Sequence, residues 1–397
     1  MKRFVEAKMD YRLSDDQRQL RDVFSQMAER HFSPENVKQW CLGQGLPDEV
    51  VRDFVEVLFR SRNLRTQNYF KFFDLTSRCI ILDELSYRAG TTLPFQHELF
   101  NLQLLEDFST GELFEKHLDE YQRTARVMFA TAISDMDSGS DTMAMETSVE
   151  TVDGKIVLNG DKSYVFNGEY ASSVLVAAID KDNKTPSRYP HLTLWLIPSN
   201  LSGMRAYPIE KVGQAMIPLA SMKFTNVELD PAWRLDVDRS KFQTLFRLLE
   251  SGRLLICSTC VGLARAAMED AVRASQRERF GRKVGDFQQI GQMLTDMEIK
   301  VESMKSLLYR AAAAIDNNES DRRLRVALAK RFIPRAATEV ASDAMQILGG
   351  MGYTEMARVS RIWRDCRGNQ IAEGTDQIMV RIAAPLIIEK YLASASE

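Results

Sequence analysis

The chain has 397 residues, of which 52 are lysine or arginine and 55 are aspartate or glutamate, so its formal net charge is −3. This length exceeds a single compact core and predicts two or three domains. The mixed charges exclude the basic surface expected of a nucleic-acid-binding protein. No apolar run reaches membrane-spanning length and the N-terminus lacks a hydrophobic signal core, so we expect a cytoplasmic protein without a membrane span.

Residues 1–126 are predicted to form a helical N-terminal domain. Ser14 and Asp15 suit the start of a first amphipathic helix. A second helix is expected from about Asp74 and closes at Gly90, because glycine takes the left-handed conformation that stops a helix. A third helix is expected to begin near Gly111.

Residues 127–236 change character, because short alternating segments with β-branched residues replace the helical spacing. The dipeptides Asp153-Gly154 and Asn159-Gly160 are typical of hairpin turns between such segments. The pattern predicts a central β domain.

Residues 237–397 return to helical spacing and are predicted to form a third domain, with helices over 238–275, 284–317, 321–348 and 375–393. Helices, then a sheet, then helices again predict an α+β fold that is mostly α and keeps its sheet and helices segregated.

The cysteines and histidines give no metal-ligand spacing. Cys257 and Cys260 form a CxxC, but no second pair stands at metal spacing, and both lie in an apolar helical run, so they are expected to be buried small residues. An odd, scattered set of five cysteines suits a reducing cytosol. We predict no metal site.

The segment from Gln346 to Thr375 contains the strongest candidate site. A predicted helix ends at Gly349-Gly350, where backbone N–H groups can approach a ligand closely. Glu373 falls at a turn, and Thr375 is the expected N-cap of the last helix. A carboxylate on a tight turn against apolar surface suits proton abstraction, although residue types alone leave open a plain helix stop and a surface carboxylate.

The same segment resembles the C-terminal signature of the acyl-CoA dehydrogenase family, Q-x-x-G-G-x-G-Y followed by R-D and I-x-E-G-T. The matching residues are Gln346, Gly349, Gly350, Gly352, Tyr353, Arg364, Asp365, Ile371, Glu373, Gly374 and Thr375. The resemblance implies an FAD cofactor and a homotetramer. It also implies a helical N-terminal domain, a central β-barrel and a C-terminal four-helix bundle.

Two further stretches resemble family motifs that lie at the flavin. Residues 131–141 are similar to T-E-P-x-A-G-S-D, and residues 159–168 are similar to N-G-x-K-x-W-I-T-N-G. The cofactor-binding residues implied here are Thr131, Ile133, Ser134, Gly139, Ser140, Tyr164 and Phe166. Phe166 departs from the family pattern, because it replaces a hydroxyl residue near flavin N5 and a phenyl ring cannot donate that hydrogen bond.

A fourth stretch, residues 253–288, is similar to the family's substrate-facing helix and to its R-x-x-F-G and F-Q motifs. In the family the second group contacts the adenine and pyrophosphate end of an FAD held mainly by a neighbouring subunit. The cofactor-binding residues implied in this half of the chain are Arg277, Phe280, Phe287, Gln288, Gln346, Gly349, Gly350, Thr375 and Gln377. The implied substrate-binding residues are Ser140, Glu250, Arg253 and Gly374.

Glu373 is the base that the resemblance implies, because Gly252 stands where another branch of the family carries its base. Glu373 would remove the α-proton of an acyl-CoA while the β-hydride passes to the flavin, giving a trans-2-enoyl-CoA and sending electrons to an electron-transferring flavoprotein. Phe166 leaves open an enoyl-CoA reductase, an oxidase or a monooxygenase with the same fold and flavin. A flavin-poor assembly subunit is a third interpretation.

Overall fold

The computed structural model of the protein describes residues 13–63, 73–108, 111–126, 129–141, 144–186, 191–235 and 239–394. The predicted order of a helical, a β and a second helical region is confirmed. The expected domain boundaries at 126/127 and 236/237 stay predictions, and residues 127, 128, 236, 237 and 238 lie outside the described residues, as do the first twelve residues of the chain. No helix in the described ranges is long and apolar enough to cross a membrane.

The described residues of the N-terminal region form six α-helices, of which the sequence predicted three individually. The helices are α1 (Asp15–His31), α2 (Pro34–Gln39), α3 (Asp48–Asn63), α4 (Leu75–Ala89), α5 (Phe95–Phe108) and α6 (Gly111–Thr124). As predicted, Ser14 caps α1, with its side chain accepting from the N–H of Gln17, and α4 ends at Gly90 in the left-handed conformation. Helix α4 is buried along most of its length and packs against the C-terminal region, so it joins the two helical regions into one core.

The described residues of the β region form one mixed sheet of eight strands. They are β1 (Ala130–Ala132), β2 (Ser148–Val152), β3 (Lys155–Phe166), β4 (Ser173–Asp180), β5 (Leu192–Pro198), β6 (Met204–Pro208), β7 (Leu219–Leu229) and β8 (Arg234–Leu235). Their ladders follow the order β6-β7-β3-β2-β4-β5-β8, and β1 pairs with β4. Closure of this sheet into the expected barrel stays a prediction.

One of the two predicted hairpin turns is confirmed and the other is wrong. Asp153-Gly154 connects β2 to β3. Asn159 and Gly160 instead lie inside β3, at an irregularity where its register with β7 shifts. Gly160 is needed there for space, because a Cβ at this position would lie 2.4 Å from the hydroxyl oxygen of Thr147. The dipeptide therefore marks a bulge in a long strand.

The C-terminal region contains α7 (Arg239–Ser275), α8 (Gln288–Asp316), α9 (Arg322–Leu348), α10 (Arg358–Asn369) and α11 (Asp376–Ser394). Four of these helices agree with the predicted ranges to within a few residues, and α10 was not predicted. Between α7 and α8, β9 (Glu278–Arg279) and β10 (Arg282–Lys283) form a short hairpin. The contact between α4 and α7 is close enough to require glycine at 262, where a Cβ would lie 2.2 Å from the carbonyl oxygen of Asp83.

Candidate functional site

Glu373 lies in the turn between α10 and α11, as the sequence predicted. We call residues 370–374 the Glu373 turn. It begins where the N–H groups of Ile371 and Ala372 donate to the carbonyl of Gly368, at 3.0 and 3.1 Å. It ends with two consecutive positive φ angles, +55° at Glu373 and +97° at Gly374. A left-handed glutamate costs on the order of 1–2 kcal/mol, so the surroundings must hold this backbone in place.

Two cations from different helices hold the end of the Glu373 turn through its backbone. Arg253 of α7 donates from Nε to the carbonyl of Glu373 at 3.0 Å. Lys330 of α9, which is fully buried, donates from Nζ to the carbonyls of Asn369 and Gly374 at 2.9 and 3.1 Å. Both positive charges are thereby placed near the Glu373 carboxylate while their hydrogen bonds go to main-chain oxygen.

The Glu373 carboxylate faces the backbone of Gly252 on α7. A Cβ added at Gly252 would lie 3.1 Å from Glu373 Oε2 and 2.9 Å from a ring carbon of Phe100 on α5. Glycine at this position therefore leaves room for the carboxylate and for the phenyl ring. The carboxylate consequently lies against apolar surface, as expected for a proton abstractor.

Burial and the two cations act on the Glu373 carboxyl in opposite directions. Desolvation raises its pKa above the usual value, and the charges of Arg253 and Lys330 partly offset that rise. Burial also lowers the pKa of Lys330, which forms no ion pair within the described residues. A carboxyl with raised proton affinity and no direct ion-pair partner can act as a general base.

Phe166, at the end of β3, packs against His97 of α5. Their ring centroids are 4.4 Å apart and the rings meet edge to face. His97 Nδ1 is buried, with no hydrogen-bond partner in the described part of the chain, and burial lowers the pKa of His97 to about 4. Because His97 and Phe100 stand one turn apart on α5, this helix connects Phe166 with the surroundings of Glu373.

The two motifs of the β region lie side by side. The N–H of Ser163 donates to the carbonyl of Ser134 at 2.9 Å, and Lys162 Nζ donates to the carbonyl of Ile133 at 2.6 Å. Lys162 also pairs with Asp135 at 2.7 Å, and both are buried. The buried pair and these hydrogen bonds hold the two motifs against each other.

The predicted ligand residues of these two motifs flank the pair. Thr131, Ile133 and Ser134 are half-buried, Gly139 and Ser140 are exposed, and Tyr164 has a φ of +60° and a side chain that is 60% exposed.

The predicted adenine-side residues also meet on one surface. The guanidinium of Arg277 donates to the carbonyls of Ile347 and Leu348, so it caps α9 immediately before Gly349-Gly350. Phe280 stands at the tip of the β9–β10 hairpin and is 95% exposed. The other members of this surface are Phe287, which is half-buried and contacts Phe280, and the exposed Gln288, Gln346, Gly349 and Gly350.

The remaining predicted residues lie within α7 and at the start of α11. Glu250 is buried and lies 3.7 Å from Arg322. The Thr375 hydroxyl accepts from the N–H of Ile378, so the predicted N-cap of α11 is confirmed, and Gln377 is exposed. No group of histidine, cysteine, aspartate and glutamate residues suited to a metal ion occurs among the described residues.

Several arginines of the Gln346–Thr375 segment make structural contacts. Arg358 pairs with Asp270 at 2.9 Å, and Arg364 forms a two-pronged contact with Glu355. Asp365 is buried and accepts from Thr91, Thr92 and Gln214, which joins the loop between α4 and α5 to the β region and α10. The aspartate of this signature therefore joins three parts of the chain, whereas its arginine contacts a residue of the same segment.

Sequence reasoning missed Lys330, His97 and Phe100, which lie near the groups it did identify. A lysine among arginines on a predicted helix gives no sign that it is buried, and a histidine without ligand spacing gives no sign that it contacts Phe166. The helical spacing of His97 and Phe100 was the one available signal.

Comparisons with known proteins agree on one family. Models of the middle and C-terminal domains of acyl-CoA dehydrogenases match residues 130–227 and 242–387. A probable acyl-CoA dehydrogenase of Escherichia coli K12, YdiO, is 34% identical over 285 residues, which are 72% of this chain and 74% of the relative.

Solved structures give the same result over nearly the whole chain. An acyl-CoA dehydrogenase of Slackia heliotrinireducens is 43% identical with a TM-score of 0.85, covering 96% of this chain and 98% of its own. A glutaryl-CoA dehydrogenase solved with glutaryl-CoA is 26% identical with a TM-score of 0.84, covering 95% and 96%. The chain belongs to the acyl-CoA dehydrogenase family and has its flavin-dependent fold.

Proposed function

We propose that the protein catalyses the FAD-dependent α,β-dehydrogenation of an acyl-CoA thioester to a trans-2-enoyl-CoA. The observation that supports this most directly is the Glu373 carboxylate, which lies against Gly252 and Phe100 without a direct ion-pair partner in the described ranges. The family membership supports a flavin-dependent dehydrogenase, and the choice of substrate is our proposal.

Glu373 serves as the base that removes the α-proton. An α-proton of a thioester is weakly acidic, so the site must also stabilise the charge that develops on the thioester oxygen. The N–H of Glu373 has no acceptor in the described part of the chain and is available for that oxygen. An acyl chain packed against Phe100 excludes water from the carboxylate and raises its proton affinity further.

Residues on two surfaces of the described chain fit an FAD. Tyr164 offers a largely exposed ring beside Ser134, and the space above Gly349 and Gly350 is open, since an added Cβ would meet no atom within 4 Å at either position. The guanidinium of Arg277 adds positive charge beside the two glycines and suits a pyrophosphate. When bound, FAD supplies the acceptor for the β-hydride.

We also propose that the protein is a homotetramer and that it passes electrons to an electron-transferring flavoprotein. Its proposed place is in cytoplasmic fatty acid metabolism. Phe280 supports the first part, because a phenylalanine that is 95% exposed at a hairpin tip is typical of a residue covered by another chain. In that assembly Phe280, Arg277, Gln288 and Gln346 contact a neighbouring subunit's cofactor.

Phe166 favours a second candidate function. Its contact with His97 places an aromatic pair where the family resemblance leads us to expect a hydroxyl near flavin N5. An enoyl-CoA reductase, an oxidase or a monooxygenase on the same fold tolerates a different hydrogen-bond pattern at N5. A flavin-poor assembly subunit is a third possibility, which visible absorbance of the purified protein tests directly.

The test is anaerobic bleaching of bound flavin by a panel of acyl-CoAs, in wild type and in Glu373→Gln. The substitution keeps the side-chain shape but removes the basic oxygen, so flavin and ligand should still bind. We expect the rate of flavin reduction to fall about 10²–10⁴-fold. Glu355→Gln is the matched control, since Glu355 is exposed and contacts Arg364 on the same segment, and its rate should stay near that of wild type.

Two outcomes would contradict the proposal. If no acyl-CoA reduces the flavin of a fully loaded enzyme, the dehydrogenase function is wrong and the second candidate gains support. If Glu373→Gln reduces its flavin as fast as wild type with the best substrate, Glu373 is not the base.

A further inference from the structure

Lys330 is a lysine that the helical bundle encloses completely. Its side chain is among the largest fully buried ones in the described residues, on a helix whose other buried residues are almost all apolar. Removing an ammonium group from water costs several kcal/mol in real proteins, so a buried lysine needs compensating contacts. Here those contacts are two main-chain carbonyls.

The two carbonyls stand immediately before the Glu373 turn and at its end. Asn369 is the last residue of α10, and helix-terminal carbonyls have no partner within their own helix. Gly374 directly follows Glu373 and has a φ of +97°. One ammonium group therefore ties both ends of the Glu373 turn to α9, while Arg253 holds the carbonyl between them.

The charged and titratable groups near Glu373 and Lys330 come from three helices. Helix α7 contributes Arg253, Glu250, Cys257 and Cys260, and α9 contributes Lys330 and Arg323. Asp376 at the start of α11 pairs with Arg331 at 3.1 Å, so much of its charge is compensated. Lys330 and Arg253 are the positive groups that act on the Glu373 carboxyl.

We propose that Lys330 is a positioning residue of the reaction, whose ammonium group fixes the Glu373 turn and favours the ionised form of the Glu373 carboxylate. This inference rests on the proposed role of Glu373 as the base. Lys330 does not touch substrate; it acts through the backbone of residues 369 and 374 and through its charge. Without it, only the charge of Arg253 offsets the effect of burial on the proton affinity of the carboxyl.

The sign of the pH effect follows from this arrangement. The positive charge of Lys330 lowers the pKa of Glu373 against the rise caused by burial. Removing that charge lets the pKa of Glu373 rise further, so the base becomes protonated at higher pH. The acid limb of the rate profile should therefore move to higher pH in a variant that lacks the ammonium group.

Two variants separate the charge from the hydrogen bonds. Lys330→Gln removes the charge and keeps an N–H donor, whereas Lys330→Met removes both at similar length. With FAD occupancy matched, we expect Lys330→Gln to reduce flavin about 10-fold more slowly than wild type at low pH and to recover at high pH. Lys330→Met should be slower at every pH, by up to about 100-fold, because the turn is also released. Binding of a CoA ligand should change less than about threefold in both.

The control is Lys300→Met on α8, where Lys300 pairs with Glu339 and Asp343 on α9. It removes a lysine from the same bundle away from the Glu373 turn, so the pH profile should match that of wild type. If both Lys330 variants, or the one that folds, also keep the wild-type profile, the proposal is overturned.

A substrate-free measurement distinguishes this proposal from the proposed function. The infrared band of the protonated Glu373 carboxyl, identified by its loss in Glu373→Gln, can be titrated in wild type and in each Lys330 variant. Its midpoint should move to higher pH when the ammonium group is removed. An unchanged midpoint overturns the coupling even if the enzyme is an active dehydrogenase, and a shifted midpoint supports the coupling even if no acyl-CoA is a substrate.

Discussion

Two buried lysines, one in the β region and one in the helical bundle, solve the same electrostatic problem differently. Lys162 pairs directly with Asp135 at 2.7 Å, and Asp135 also accepts from Glu146 and Thr147. Lys330 contacts only carbonyl oxygens among its described neighbours and leaves the nearby carboxylate of Glu373 without a direct ion pair. The first arrangement uses up the carboxylate as a structural partner. The second holds a carboxylate in place and leaves its oxygens available to take a proton.

The largest effect expected from this comparison is on stability in the β region. Asp135→Asn leaves Lys162 buried without its counter-charge, and breaking a buried pair on one side typically costs about 3–5 kcal/mol. The free energy of unfolding, measured by denaturant titration at pH 7, should fall by that amount. Burial already lowers the pKa of Lys162 to about 8, and losing the carboxylate should lower it further.

Asp161→Asn is the control for that experiment, because Asp161 is exposed on the same strand and lies 3.9 Å from Lys223. Its effect should stay within about 0.5 kcal/mol, the usual size for an exposed pair. A loss in Asp135→Asn no larger than in the control would show that the buried pair contributes little to folding.

An effect of intermediate size is expected for His97, whose Nδ1 is buried and which has no charge partner in its described surroundings. Its pKa is about 4 in the folded protein and about 6.5 in the unfolded chain, so the unfolded state binds more protons between these values. The stability that neutral His97 contributes is complete above pH 6.5 and is lost as the pH falls toward 4.

That loss should be about 2 kcal/mol between pH 7 and pH 5. His97→Gln does not titrate, so its free energy of unfolding should depend less on pH over this range than that of wild type. Parallel curves for the two proteins would mean that the His97 ring is accessible to water in solution.

The smallest expected effect concerns Phe166, the contact partner of His97. If a hydroxyl at this position reaches flavin N5, Phe166→Thr should raise the rate of flavin reduction roughly 2–10-fold, since a neutral hydrogen bond contributes about 0.5–1.5 kcal/mol. The flavin potential should rise with it. Phe166→Leu, which lacks a donor, controls for the vacated volume, and both must be compared at full FAD occupancy. Equal rates and potentials for the threonine and leucine variants would mean that position 166 does not face N5.

The fold was predictable wherever the chain carries a local signal. Ser14 and Gly90 marked helix ends because their side-chain and backbone chemistry satisfies helix termini. Helix α10 was missed because its apolar buried side is narrow and consists of Val359, Ile362 and Cys366. The arginines between them hid the helical spacing of these apolar residues. Asn159-Gly160 was misassigned because the same dipeptide serves turns and bulges, and only contact with Thr147 separates the two.

The sequence predicted the carboxylate of the candidate site but not the residues that hold it in place. Glu373 stands in a stretch of small residues that resembles a family signature, so the sequence identified it. Lys330 lies 43 residues before Glu373 in the sequence, and its role depends on a long-range contact that no spacing reveals. The structural duties of Arg358 and Asp365 were hidden for the same reason, because each acts on a part of the chain remote in sequence.

The main-chain hydrogen bonds that hold the Glu373 turn affect which substitutions the turn can accept. Arg253, Lys330 and Gly368 all hold the turn through main-chain atoms, so the identities of the side chains at Ile371 and Ala372 are not part of the attachment. These two positions can be randomised in a library while Glu373 keeps its position in the turn. Variation in these two side chains can therefore occur without changing the main-chain contacts that fix the base.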